Sequence, residues 1–345
     1  MMKRIKKNSL LNVGIIGCGG VAQVIHIPLL LKHPDIQVKA ICDVDSSKAA
    51  IIADKFRIPN IYEDITDMLN REEIDVAFIL TPNNLHLPMS LIALEHGAHV
   101  FIEKPAAKNS KEVLSIKNRA VQVGREVMVG MQNRFRKDVI ALKRFLEAQE
   151  LGELFFVKAA WLHAQHQSVK QAWLFQKNVS GGGVIMDLGV QMIDLVWWLL
   201  GRPIPKVVKS FAYQINTNLK VEDFCVACIT FENNISLSLE ISWDFPIPED
   251  HFSLEMVGQK GIGSLNPVRL QKMMHGQMLN ITPELKESKI SNFKIGYQNE
   301  VNHFVDYLTG RVDHLESSIE DAEEVFKMID GIYESMKVNR EVQIS

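Results

Sequence analysis

The pattern of apolar positions along the chain changes near residue 130. Before that point, short apolar runs alternate with stretches whose apolar residues recur at helical spacing. The runs predict strands at residues 13–16, 38–42, 76–80, 99–102 and 126–129. The stretches between them predict helices at residues 21–32, 46–55, 64–70, 85–95 and 109–123. Strands that alternate with helices of this length indicate a parallel sheet with right-handed crossovers.

After about residue 153 the strands are longer, and apolar and polar residues alternate along them. In the segment 235–243, Ile, Leu and Trp occupy one face and Ser and Glu the other, which is typical of a half-buried sheet. Further strands are predicted at 154–161, 207–214, 224–231 and 252–257, helices at 184–200, 297–308 and 319–338, and a polar loop at 266–296. We therefore expect an α/β domain at 1–129 and an α+β domain at 130–345.

Length and charge narrow the class of protein. The 345 residues suffice for two domains, and 47% of them are hydrophobic, as in ordinary globular proteins. A net charge of −3 argues against nucleic acid or an anionic membrane as the main partner. No apolar run approaches the roughly 20 residues of a membrane helix, so we expect no membrane contact.

Two of the four cysteines, Cys225 and Cys228, have C-x-x-C spacing. They lie in a predicted strand, where residues three apart point to opposite faces. We therefore expect reduced structural cysteines, no metal site and a cytoplasmic protein. The basic start and the apolar run ending at Cys18 loosely resemble a lipoprotein signal, but cleavage before Cys18 would remove the first predicted strand.

The first strand leads into a glycine motif. Gly17, Gly19 and Ala22 match G-x-G-x-x-A, the dinucleotide-binding fingerprint, with Gly20 and Val21 inside it. The first glycine allows a sharp turn, the second lets the backbone approach a pyrophosphate, and the alanine lets the helix pack closely on the strand. The helix N-terminus offers N–H groups to the phosphates. The motif predicts a Rossmann domain that binds a dinucleotide.

An acidic residue stands where a ribose-binding group belongs. Asp43 follows the second strand, roughly 20 residues beyond the glycines. A carboxylate there accepts hydrogen bonds from the ribose hydroxyls and repels a 2′-phosphate, so we expect NAD as the cofactor in preference to NADP. Asp45 adds negative charge, and Lys48 is expected on a solvated helix face.

Polar segments follow two further strands of the parallel sheet. They comprise Thr81, Pro82, Asn83 and His86 after the third strand, and Glu103, Lys104 and Pro105 after the fourth. Ligands of parallel sheets bind outside the carboxyl ends of the strands, so both segments are candidates to contact a cofactor. Arg134, after the fifth strand, is a further candidate for contact with cofactor or substrate.

Three glycines at 181–183 lead into an apolar predicted helix that carries two acidic residues. Asp187 and Gln191 are four residues apart and share a helix face, and Asp194 lies near the same stripe. A carboxylate in an apolar helix needs a function or a structural partner. We interpret Asp194 as structural and Asp187 as functional.

In order and spacing, these motifs resemble the glucose–fructose oxidoreductase, inositol dehydrogenase and rhizopine-catabolism (Gfo/Idh/MocA) family. The resemblance spans nearly the whole chain and includes Glu222-Asp223 and residues 299–304 and 332–335. It implies a Rossmann domain joined to a domain with an open, mainly antiparallel sheet. It also implies that Lys104 contacts cofactor and substrate and takes part in proton transfer, and that Asp187 orients the substrate.

The chain departs from the family four residues after Asp187, where Gln191 replaces the usual acid/base histidine. A glutamine amide does not exchange protons usefully near neutral pH. Three alternatives follow. Lys104 acts alone, or His163 or His166 substitutes, or the protein binds nucleotide and sugar without turnover.

The expected substrate contacts are Gln191, His163 and Trp173, although Leu174 replaces the arginine usual after that tryptophan. With Lys104 and Asp187 as catalytic residues, the resemblance implies an NAD-dependent dehydrogenase that acts on CH–OH groups of a sugar, cyclitol or related polyol. A non-catalytic sensor of the same fold is the alternative. Family members pair their open sheets, so we also expect a homodimer or homotetramer.

Overall fold

The computed structural model describes residues 10–165, 172–284 and 291–344. It divides into two compact units. The first comprises the described residues up to Gln132 together with Phe293–Glu323, and the second comprises Asn133–Asn292 and Glu324 onwards. The expected boundary at 129/130 lies close to this division. In this division the segment 293–323 belongs to the first compact unit, although it lies within the range 130–345 that the sequence assigns to the second domain.

The strands are β1 Leu11–Ile16, β2 Ile36–Cys42, β3 Asn60–Tyr62, β4 Val76–Ile79, β5 His99–Glu103, β6 Val127–Gly130, β7 Leu154–Ala164, β8 Pro205–Tyr213, β9 Phe224–Phe231, β10 Ser236–Phe245, β11 His251–Gly258, β12 Gly261–Leu265, β13 Arg269–Met274, β14 Gln277–Asn280 and β15 Val342–Gln343. The α-helices are α1 Ile27–Lys32, α2 Ser46–Phe56, α3 Ile65–Arg71, α4 His86–Glu95, α5 Ser110–Val123, α6 Lys137–Glu147, α7 Lys177–Ser180, α8 Val190–Leu199, α9 Asn292–Leu308 and α10 Ile319–Val338. Wider π-helical turns, Ala22–His26 and Ile185–Gly189, open α1 and α8.

The first unit contains a parallel sheet in the order β3-β2-β1-β4-β5-β6, which is the Rossmann order. The expected Rossmann sheet is therefore confirmed. Its central strands are buried along almost their whole length because helices cover both faces. Strand order reverses direction between β1 and β4, and the crevice at their carboxyl ends is where such sheets bind ligands.

The segment 293–323 belongs to the first unit through aromatic packing of α9. The ring of Tyr297 lies 5.7 Å from that of His26, edge on, and the ring of Phe304 lies 6.1 Å from that of Phe101. Both contacts join residues more than 200 positions apart in sequence. Local patterning therefore offered no sign of them.

The second unit contains a nine-stranded sheet in the order β14-β13-β12-β11-β7-β10-β9-β8-β15. Its paired neighbours are antiparallel except β7 and β10, which are parallel, so the expected open, mainly antiparallel sheet is confirmed. The expected loop at 266–296 is wrong, because it contains β13, β14 and the start of α9. β14, at the edge of the sheet, is exposed along its whole length, and β13 beside it is buried only at Leu270, so neither shows the alternation by which half-buried strands are recognised.

The helical segment Lys177–Leu199 is long and apolar enough to cross a membrane by length and composition. However, 83% of its most apolar window is buried inside the protein, and every residue of α8 is buried. A helix that is apolar all round is typical of a protein core as well as of a membrane. In this unit it covers one face of the sheet.

Candidate active site

The glycine turn after β1 is shaped by close backbone contact. Gly17 has φ +96°, and a Cβ there would lie 2.7 Å from the carbonyl oxygen of Leu80. Apart from Gly19 itself and its two chain neighbours, no described residue has an atom within 4 Å of a Cβ added to Gly19. Ala22 is fully buried, while Gly20 is exposed and Val21 half-buried. The turn thus has one closed side against β4 and one open side at Gly19.

Asp43 is held firmly at the end of β2. Its Oδ2 accepts from the Cys18 N–H at 2.7 Å, and its Oδ1 accepts from the Asp45 N–H at 3.0 Å. Lys48 Nζ lies 2.8 Å from Oδ2. Burial favours a higher pKa for Asp43, but the hydrogen bonds from Lys48 and the two backbone N–H groups outweigh it and lower the pKa. Lys48 lies on α2 with 39% of its side chain exposed, as expected of a solvated helix face, and it also forms an ion pair with Asp43 that the sequence did not predict.

The segment after β4 carries an unsatisfied hydroxyl. Thr81 Oγ1 is buried and has no hydrogen-bond partner among the described residues, while Asn83 is 3% exposed and Pro82 half-buried. A buried hydroxyl without a partner is costly unless a ligand or water satisfies it. Together with the open side of Gly19 and the carboxylate of Asp43, Thr81 fits a bound dinucleotide.

His86 joins the segments that follow β4 and β5. Its Nε2 lies 2.8 Å from the Thr81 carbonyl oxygen, and its Nδ1 lies 2.7 Å from that of Pro105. Burial lowers the pKa of His86, and the two carbonyl acceptors offset only part of that effect. The residue is 1% exposed. In this structure it therefore shapes the expected cofactor site by holding backbone.

Glu103 is buried at the end of β5, whereas Lys104 is half-buried. Glu103 Oε1 lies 2.6 Å from Nε2 of His26, and Oε2 accepts from the Lys104 N–H at 3.0 Å. Lys104 follows β5 at the carboxyl edge of the sheet, as the sequence predicts. Sequence reasoning missed His26, which lies inside an apolar helical run.

In the second unit, glycines 182 and 183 are required by packing. A Cβ on Gly182 would lie 1.8 Å from the Tyr333 hydroxyl, and one on Gly183 would lie 1.9 Å from the Glu222 carbonyl oxygen. Glu222 Oε1 accepts from the Gly183 N–H at 2.7 Å and from the Tyr333 hydroxyl at 2.8 Å. Burial raises the pKa of Glu222 despite these donors. This contact sets where the helix carrying Asp187 begins.

Asp187 lies in the π-helical turn before α8 and is half-buried. Its Oδ2 accepts from Nε1 of Trp243, on β10, at 2.9 Å. Gln191 is 5% exposed, and its amide donates to the Asp187 carbonyl oxygen at 3.0 Å. The sequence pattern predicts Trp243 only as part of an apolar sheet face. Its position at the end of that strand is the one local signal, because its contact with Asp187 joins residues 56 positions apart.

Arg134 forms a buried ion pair with Asp194 in the second unit. Its Nε donates to Asp194 Oδ2 at 2.8 Å and its NH2 group to Oδ1 at 2.5 Å, and both side chains are at most 2% exposed. The guanidinium also lies 5.9 Å from the ring of Trp198. The interpretation of Asp194 as structural is confirmed. The expected contact of Arg134 with cofactor or substrate stays a prediction beside this buried bidentate pair.

His163 lies on the sheet face that the Asp187 helix covers. Trp161 of β7 pairs with Ile241, and a Cβ on Gly189 would lie 2.9 Å from Ile241 Cδ1; alternation places His163 on the same face as Trp161. His163 Nδ1 lies 2.9 Å from Asp250 Oδ2. A carboxylate that orients one ring nitrogen is a common arrangement for an acid/base histidine.

Trp173 is half-buried in a short 3₁₀ turn, Ala172–Phe175. The ring of Phe175 in that turn packs edge-on against Trp243, at 5.8 Å. The structure therefore brings the Trp173 segment close to the residue that binds Asp187. His166 lies outside the described residues.

Cys225 is buried and Cys228 exposed, which confirms that the two thiols diverge. Burial raises the pKa of both thiols. Within residues 10–165, 172–284 and 291–344, no group of three His, Cys, Asp or Glu side chains is arranged to hold a metal ion.

Comparison with known proteins agrees with this geometry. A family model described as "Oxidoreductase family, NAD-binding Rossmann fold" matches residues 11–131, and the C-terminal domain of the same family matches residues 139–263. The chain belongs to the Gfo/Idh/MocA family. It is an NAD-dependent oxidoreductase, and the first unit of this family member is its NAD-binding domain.

Several named Gfo/Idh/MocA-like relatives act on sugars or cyclitols. The chain is 26% identical to the D-glucoside 3-dehydrogenase of Escherichia coli K12, over 99% of this chain and 100% of that protein. It is 24% identical to an inositol 2-dehydrogenase of Salmonella paratyphi B, over 75% and 74%. A solved complex of levoglucosan dehydrogenase with NADH and levoglucosan superposes with a TM-score of 0.87 at 20% identity, covering 97% and 100% of the two chains.

Two glycine-to-alanine variants should separate cofactor binding from packing. Gly19→Ala adds a methyl group on the open side of the turn, so we expect unchanged thermal unfolding without cofactor and at least about tenfold weaker NAD binding, or about 1.4 kcal/mol. Gly183→Ala collides with the Glu222 backbone, so we expect destabilisation by about 1–3 kcal/mol or more. Calorimetry and NAD titration measure both. Equal stability losses in the two variants would contradict this assignment.

Proposed function

We propose that the enzyme oxidises a hydroxyl-bearing carbon of a sugar, cyclitol or related polyol, or reduces the corresponding carbonyl, with NAD. The observation that carries the proposal is the position of the Asp187 side chain. Its carboxylate is fixed by the Trp243 indole at 2.9 Å, yet the residue stays partly exposed. A fixed, accessible carboxylate is suited to accept a hydrogen bond from a substrate hydroxyl. The sugar and cyclitol dehydrogenases among the relatives support the same substrate class.

Each named residue has a separate part in the proposed chemistry. When bound, NAD would supply the nicotinamide ring that accepts a hydride from the hydroxyl-bearing carbon. The Lys104 amine takes the hydroxyl proton as the carbonyl forms, and returns it in the reverse direction. Asp187 orients the reacting hydroxyl and does not transfer the proton. Gln191 supports Asp187 through the helix backbone.

A sensor that binds nucleotide and sugar without turnover is the rival function. Its support is Gln191, which cannot replace an acid/base histidine. Incubation with NAD and a panel of hexoses, glycosides, anhydrosugars and inositols decides between the two, with NADH absorbance as the readout. We expect NADH formation with at least one member. Saturable binding of these compounds with no NADH formed from any of them would favour the sensor.

Replacement of Lys104 tests its role as proton carrier. We expect Lys104→Ala to abolish turnover and to leave NAD affinity within about tenfold, or 1.4 kcal/mol. His163→Ala tests the alternative acid. His251→Ala is the matched control, because His251 is exposed on β11 and its ring is hydrogen-bonded to the Ser253 hydroxyl. A loss of about 10²–10⁴ in rate for His163→Ala, with measurable turnover in Lys104→Ala, would transfer the role to His163.

Asp43 and Lys48 should together set cofactor preference. We expect the unsubstituted protein to bind NAD more tightly than NADP, because a 2′-phosphate beside the Asp43 carboxylate is repelled. Asp43→Asn keeps an acceptor for the Cys18 N–H and releases Lys48 for a phosphate. Its ratio of NADP to NAD affinity should rise at least about tenfold. The double variant with Lys48→Ala is the control and should lose that rise. Equal affinity for both cofactors in the unsubstituted protein would contradict the idea.

We also propose a cytoplasmic location and self-association through the open sheet of the second unit. The Ser-rich strand β10 supports self-association, because Ser236, Ser238 and Glu240 form a small, polar and only half-buried face. The expected assembly is a dimer or tetramer. Light scattering across micromolar concentrations measures it, and a monomer at every concentration would refute the proposal.

A further inference from the structure

A buried polar pair lies behind Lys104 in the first unit. His26 Nε2 is 2.6 Å from Glu103 Oε1, and the two side chains are 0% and 7% exposed. His26 ends the π-helical turn of the nucleotide-binding motif, and Glu103 ends β5. Burying such groups is expensive unless their hydrogen bonds are satisfied. The pair therefore calls for a role beyond filling space.

The surroundings of His26 allow it one polar contact. Its ring lies 5.4 Å from the Phe101 ring, 5.7 Å from Tyr297 and 6.0 Å from Phe78. Nδ1 has no hydrogen-bond partner in the described part of the chain. Because a carboxylate only accepts, the ring proton that makes the bond is on Nε2. The surrounding aromatic rings thus hold the imidazole so that its Nε2–H points at Glu103.

Glu103 links the fixed imidazole of His26 to the backbone of Lys104. With Oε1 occupied by His26, its Oε2 accepts the backbone N–H of Lys104 at 3.0 Å. The carboxylate therefore connects a ring locked in the core to the peptide from which the Lys104 side chain departs. The side-chain direction follows from the backbone direction, and proton transfer requires placement within hydrogen-bond reach.

We propose that His26 is a positioning residue for Lys104, acting through Glu103. The proposal rests on the proposed role of Lys104 as proton carrier. His26 itself contacts neither the proton nor the hydride that is transferred in the reaction. Loss of its N–H lets the Glu103 carboxylate turn away, and Lys104 then samples more orientations.

The test compares three variants of the full chain. His26→Leu removes the N–H, while His26→Gln retains an amide donor near the position of Nε2. His99→Leu is the matched control, because His99 is also buried and stands at the other end of β5, where its Nδ1 accepts the Glu126 N–H at 3.0 Å. Measured on folded protein, kcat should fall at least about tenfold in His26→Leu alone, with KM for NAD within about threefold. The glutamine variant should recover most of kcat.

Hydrogen exchange gives a second readout that needs no turnover. Peptides containing the Lys104 amide should exchange faster in His26→Leu than in His26→Gln or His99→Leu. If the unsubstituted protein turns over no substrate, the proposed function fails, and this exchange difference still decides the positioning. If His26→Leu does not fold, Glu103→Gln replaces it, because an amide cannot accept from both donors as a carboxylate does. Unchanged kcat and unchanged exchange at Lys104, with only a lower melting temperature, would overturn the proposal.

Discussion

Close backbone contact without a Cβ is the constraint on which both halves of the chemistry depend. In the first unit Gly17 lies against the Leu80 carbonyl at the point where strand order reverses. In the second unit Gly183 lies against the Glu222 carbonyl where the Asp187 helix begins. A side chain at either position would push the following helix away from its sheet. His26 lies in the first of these helical segments and Asp187 and Gln191 lie in the second, so the placement of these three residues depends on the two contacts.

Both helices open with a π-helical turn, Ala22–His26 and Ile185–Gly189. Such wide turns are uncommon and often occur at functional sites. Each carries one residue of chemical importance, His26 in the first unit and Asp187 in the second. An extra residue in a turn shifts the side chains that follow, so the helical spacing of 3.6 residues does not predict where these two side chains point.

Two buried polar pairs, one in each unit, fix the side chains near these turns. Asp194 accepts two hydrogen bonds from the Arg134 guanidinium. Glu103 accepts one from the His26 ring and one from the Lys104 backbone N–H. Removing one partner of such a pair leaves an uncompensated buried group, which costs several kcal/mol, roughly 3–5 for an ion pair. These pairs therefore define one arrangement of the core sharply, whatever their net contribution to stability.

The Rossmann sheet, the mainly antiparallel second sheet and the family were all predictable from the amino-acid sequence. Buried strands and the Gly17, Gly19 and Ala22 spacing are local signals, because neighbouring residues create them. Strands β13 and β14 were not predicted because they are largely exposed and lack the alternation of a half-buried strand. Three contacts had no signal in the sequence: α9 packs in the first unit, Arg134 pairs with Asp194, and His26 forms a hydrogen bond with Glu103. Each of these contacts joins residues at least 60 positions apart, and their geometry depends on how whole elements pack, which no local pattern encodes.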